Sequence, residues 1–108
     1  MTTDAHTYCV VQTTLASEAE AAMLARQIVQ ARLGACVQLQ SIRSYYVWQG
    51  QAREDAEWLL NIKTRSALYP ALATWLLEHH PYETPEIVQL PIAAGSAAYL
   101  AWVDDTTG

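Results

Sequence analysis

Residues 35–63, ACVQLQSIRSYYVWQGQAREDAEWLLNIK, decide the fold. From Ala35 to Trp48 the side chains alternate with period two: Val37 and Leu39 interleave with Gln38 and Gln40, and Tyr46 and Trp48 share a face. Successive side chains of a strand point to opposite faces, so the alternation reads as one long strand. Gln49-Gly50-Gln51 can turn the chain, after which Ala56, Trp58, Leu60 and Ile62 alternate against Asp55, Glu57, Asn61 and Lys63 as a returning arm. Each arm is about twice the ~5–6 residues of an ordinary strand. A two-stranded ribbon is marginal in water, yet the overhang of this one is read as carrying Tyr45, Tyr46, Trp48 and Trp58 in place of charges. A neighbouring subunit packed against the hairpin would cover it, so self-association is the first expectation.

Upstream, Thr7 to Thr13 (TYCVVQT) has the β-branched and aromatic content of a first strand. Ser17 with Glu20 has the form of a capping box, in which hydroxyl and carboxylate each satisfy an orphan backbone N–H. Ala21, Leu24, Ala25, Ile28 and Ala31 follow at helical spacing, and Gly34 is expected to supply a left-handed stop. Downstream, Ser66 is expected to cap a second helix with Pro70 near its first turn and Leu68, Leu72, Trp75, Leu76 and His79 on one face. Pro81 and Pro85 drive the residues before them out of the helical region, which makes residues 79–86 a stiff, shaped connection. Ile87 to Leu90 reads as a last strand, and Gly95-Ser96 opens a short C-terminal helix. The order predicts an α+β, ferredoxin-like βαββαβ sandwich with a long β-hairpin and a short C-terminal helix, one domain over residues 1–108.

Composition points the same way. Apolar residues make up 52% of the 108 and charged residues only 16%, below the roughly 25% usual in globular proteins, so little charge is left to coat the surface. The net charge is −5, and the six basic residues are scattered, which argues against nucleic acid as a partner. A cation is the more natural ligand. No apolar run approaches the ~20 residues of a membrane span and the start lacks a signal-peptide pattern, so a cytoplasmic, non-membrane protein is expected. Cys9 and Cys36 do not form a CxxC pair and read as reduced thiols.

Among groups able to do chemistry, His79 and His80 are the metal candidates, since imidazole suits copper and zinc. Adjacent helical residues point about 100° apart, whereas one helix chelates from i and i+3 or i+4, so both can serve one ion only if Pro81 has unwound the backbone. The structural alternative packs His79 on the core side and gives His80 to the helix-end carbonyls. Cys36 is a soft donor, but with no adjacent Lys or His to activate it, it reads first as a buried structural thiol. Glu57 and Lys63 share a strand face but lie roughly 20 Å apart, which leaves Glu86 as the expected partner of Lys63. Neither a GxSxG elbow nor a phosphate-binding glycine loop is present, and no enzyme is expected.

The segments ARLGACVQL, YYVWQG, EWLLNIKT, HHPYETPEIVQLP and YLAWV occur in an order that resembles the CutA divalent-cation tolerance family over most of the chain. The resemblance implies a homotrimer assembled through the hairpins, a part in tolerance of divalent cations, and copper binding. In the family's proposed copper site a Cys at the end of the first strand joins the two His of HHPY. Those His match His79 and His80, while the Cys position falls on Thr13. An alternative is a small-molecule-binding signalling or scaffold trimer of PII-like architecture, its ligand held in inter-subunit clefts near Cys36, Trp48, Glu57, Lys63, Tyr82 and Glu86.

Overall fold

A computed structural model describes residues 7–108. Strand β1 (Tyr8–Leu15) leads into helix α1 (Glu18–Gln30), then β2 (Cys36–Trp48) and β3 (Gln51–Arg65). A single 3₁₀ turn, Ser66–Leu68, precedes α2 (Tyr69–His79), and β4 (Val88–Pro91) and α3 (Ala97–Thr106) complete the chain. The four strands form one sheet in the order β2-β3-β1-β4, with every neighbouring pair antiparallel. This is the split arrangement expected from the element order.

Period two sorts the sheet into two faces. Cys9, Val11 and Leu15 of β1 and Leu60 and Ile62 of β3 pack with Ala21, Leu24 and Ile28 of α1 and Leu72 and Leu76 of α2 into one buried cluster. Helices α1 and α2 therefore cover that face. The residues between them point the other way: the Tyr8 hydroxyl donates to Asp104 at 2.6 Å, and the Lys63 ammonium sits 5.8 Å from the centre of the Tyr99 ring. Helix α3 thus lies on the opposite face, at the end of the sheet remote from the hairpin tip.

The hairpin runs in register from Cys36↔Lys63 to Trp48↔Gln51, closed by the two-residue turn Gln49-Gly50. Both turn residues have positive φ, 52° and 78°, the combination that matches the twist of the strands it joins. Because β1 pairs only with residues from Trp58 to Arg65, residues 51–57 of β3 and their β2 partners project as a ribbon without a third strand. Trp58 is not part of that overhang: it pairs with Leu15 and packs against the core cluster.

Three local expectations are corrected. The Ser17 hydroxyl accepts from Glu20 N–H at 3.2 Å as foreseen, but the Glu20 carboxylate takes the Ser17 hydroxyl at 3.3 Å instead of a backbone N–H, so the cap is half of a capping box. Leu68, the last residue of the 3₁₀ turn, precedes α2 where Ser66 was expected as the cap. The left-handed residue after α1 is Arg32 (φ 61°), not Gly34. Arg32 is held there by its own side chain, which donates to the carbonyls of Gly108 (2.9 Å) and Asp105 (3.1 Å). Gly34 is needed for space: a Cβ there would stand 2.7 Å from Ile62 Cγ2 and 3.0 Å from Ile28 Cγ2. Gly34→Ala is therefore expected to lower unfolding stability by about 1–3 kcal/mol in urea denaturation, the usual cost of overpacking a core.

Candidate functional site

The chain beyond α2 is shaped by Pro81. His80 is forced into an extended conformation (φ −77°, ψ 135°) while its N–H still closes the helix on Leu76. The turn sends the two neighbouring imidazoles to different places. His79 is exposed, stacks on Trp75 at 4.1 Å between ring centres, and its Nδ1 lies 2.8 Å from the Trp75 carbonyl oxygen. His80 is buried, with Nε2 2.9 Å from the Thr14 carbonyl oxygen and Nδ1 3.1 Å from the Tyr82 amide nitrogen. A carbonyl only accepts and an amide N–H only donates, so His80 is neutral with its proton on Nε2. This reverses the structural alternative drawn from the sequence: His79 serves the helix carbonyl and His80 enters the interior.

Burial pushes the His80 pKa down, against the opposing pulls of the Thr14 carbonyl and of the Glu20 and Glu57 carboxylates. Both its nitrogens are committed within the protein. A copper ion would have to break one of those bonds, and the pair does not form a chelate in this conformation. Thr13, at the family's Cys position, is fully buried on the helix-covered face and its hydroxyl oxygen has no hydrogen-bond partner among the described residues. No group of three or more His, Cys, Asp or Glu is placed to hold a metal among the described residues. His79 is exposed and has Nδ1 held by a backbone carbonyl, the arrangement that orients single metal-ligating imidazoles.

By donating to Thr14 and accepting from Tyr82, His80 pins the 81–86 connection beneath the hairpin, and a cleft of about 920 Å³ lies between the two. Of the residues expected from sequence, Trp48, Glu57, Tyr82 and Glu86 line it. Cys36 and Lys63 do not: they face each other near the other end of the ladder, under Tyr99, whose phenol pKa is raised by burial and by the neighbouring Cys36. Lys63 therefore meets an aromatic ring, and the expected ion pair with Glu86 does not form. The lining residues missed from sequence include Tyr46, Arg53 and Asp55. Period two held their signal, since Arg53 and Asp55 lie four and two positions before Glu57 on the same face of β3.

Two phenol–carboxylate pairs set the electrostatics. The Tyr82 hydroxyl donates to Glu57 at 2.7 Å, and burial together with that carboxylate drives the phenol pKa far up. Tyr46 donates to Asp55, and that bond raises the Tyr46 pKa as well. Both phenols thus stay protonated, and neither Asp55 nor Glu57 forms an ion pair with a Lys or Arg among the described residues. The ion pair that is present, Arg43–Glu54 at 2.8 Å, belongs to the opposite face of the hairpin.

The profile of the CutA1 divalent ion tolerance protein family matches residues 9–106. The chain belongs to this family. It is 44% identical over 100 residues to the divalent-cation tolerance protein CutA of Thermus thermophilus, an alignment that covers 92% of this chain and 97% of that one. It is 40% identical over 99 residues (91% of this chain, 54% of the relative) to a CutA protein of Arabidopsis thaliana named chloroplastic. The chain spans about half the length of the mouse and human CutA proteins, to which it is 44% identical. The solved structure of CutA from Synechococcus elongatus superposes with a TM-score of 0.92 at 36% identity, covering 95% of this chain and 92% of that one.

The buried His80 makes a pH-dependent contribution to stability. Its folded pKa lies below the unfolded value of about 6.5, so on acidification the unfolded chain takes the proton first. The contribution is complete above the unfolded pKa and is lost as pH falls through the folded one. Between pH 7 and pH 5 the melting temperature of the wild type is expected to fall towards that of His80→Gln, and a constant gap would contradict the assignment.

Proposed function

We propose that this CutA-family chain acts in divalent-cation tolerance as a cytoplasmic, homotrimeric binding protein of one domain. Its hairpins cover neighbouring subunits, and its ligand is held in the cleft beneath each hairpin, which a neighbouring subunit completes. The observation that carries this is the composition of the ribbon beyond the third strand: Tyr45 and Val47 are each 71% exposed, with Tyr46 and Trp48 beside them at the cleft. Such a surface is stable in water only when something packs on it. No helix among the described residues is long and apolar enough to cross a membrane. The arrangement calls on no catalytic step.

A second reading rests on His79. With Nδ1 fixed on Trp75 and the residue exposed, it offers its other ring nitrogen to a divalent cation such as copper, without His80 or Thr13. One donor from each subunit makes a weak site unless subunits share the ion. Titration calorimetry of the tag-free protein with Cu(II) separates the readings. We expect binding weaker than about micromolar (roughly −8 kcal/mol), lost in His79→Ala and kept in His80→Gln. A tighter site of one ion per subunit that needs both imidazoles would make copper the ligand and would overturn the cleft as the functional centre.

A further inference from the structure

The cleft also says what kind of ligand it takes. Asp55, Glu57, Glu83 and Glu86 bring four carboxylates to its wall, against the one guanidinium of Arg53. Asp55 and Glu57 are held by phenol hydroxyls, which orient the anions without neutralising them. An anionic ligand, whether a phosphate ester or a carboxylate, would meet net repulsion here. A bare divalent ion would find no prearranged group of three His, Cys, Asp or Glu among the described residues.

The other component of the wall is aromatic. Tyr46 and Trp48 line the cleft on the ribbon face opposite Tyr45 and Val47, and they stack on no other ring among the described residues, whose ring contacts lie at Trp75–His79, His80–Tyr82 and Tyr99–Trp102. A cation over the face of Trp or Tyr is attracted by the ring quadrupole, and an organic ammonium, poorly hydrated and unable to demand a fixed coordination sphere, gains most from that combination. A volume of about 920 Å³ is in the range of small-molecule sites.

We propose that the cleft is a binding site for a small organic cation, an alkyl- or arylammonium, seated against Trp48 and Tyr46 with its charge facing Glu57 and Asp55. The proposal rests on the cleft being the functional centre and adds the sign and chemical class of its ligand. In it Tyr82 is a positioning residue: it fixes the Glu57 carboxylate and is itself fixed by His80 through its amide.

Benzyltrimethylammonium is the probe, because it carries a permanent charge and coordinates no metal. Benzyl alcohol and benzenesulfonate are its neutral and anionic counterparts. By calorimetry on the assembled protein, with chelator present, the ammonium should bind at least about tenfold tighter than either counterpart. Glu57→Gln, which keeps an acceptor for Tyr82, should weaken it about fivefold to tenfold, and Trp48→Leu by a similar factor. His79→Ala should leave it unchanged. If benzyl alcohol or benzenesulfonate binds as well as the ammonium, with Trp48→Leu weakening each alike and Glu57→Gln none, the cleft is a ligand site but its preference for cations is wrong. If none of the three binds, both the cation preference and the cleft reading fall.

Discussion

The structure depends on the β2–β3 ladder, whose strands of 13 and 15 residues outrun the rest of the sheet. Near α3 that ladder is supported on both sides: β1 pairs with β3, the helices cover Leu60 and Ile62, and Gly34 lets the chain pass close to Ile62. At its tip the same ladder has only itself. Hydrogen bonds between two strands do not offset exposure of Tyr45 and Val47 to water, and on the proposed reading a neighbouring chain covers that face of the ribbon. On the proposed reading, oligomerisation follows from strand length.

The connection after α2 is the second constraint. Pro81 ends the helix and turns His80 inward, and His80 then bridges the Thr14 carbonyl of β1 and the Tyr82 amide. Tyr82 in turn reaches Glu57 on the hairpin. One buried imidazole thus links the body of the sheet, the proline-bounded connection and the base of the ribbon, and the cleft takes its shape from that linkage. The same commitment sends the two adjacent histidines apart: one is part of the scaffold, and the other is exposed.

Much of the fold was legible because its determinants are local. Alternation in residues 35–63, the glycine of the hairpin turn and the serines before α1 and α3 each act within a few residues, and the structure keeps them. What was hidden depends on contacts distant in sequence. The side given to His80 follows from a carbonyl 66 residues away, the steric role of Gly34 from a methyl group of Ile62, and the place of Lys63 from the position of α3. The cleft was half legible: Trp48, Glu57, Tyr82 and Glu86 were named from their neighbourhood, whereas Tyr46, Arg53 and Asp55 emerge once the strand faces are assigned.

The most direct test of the central claim is the mass of the tag-free protein in solution, by sedimentation equilibrium or native mass spectrometry from about 1 to 100 μM. A species of three times the 12.0 kDa chain across that range, broken down when Tyr45 and Val47 are both replaced by glutamate, is the expected result. A stable monomer with an intact hairpin throughout would show that the ribbon needs no cover, and would contradict the constraint on which the assembly and the completed cleft depend.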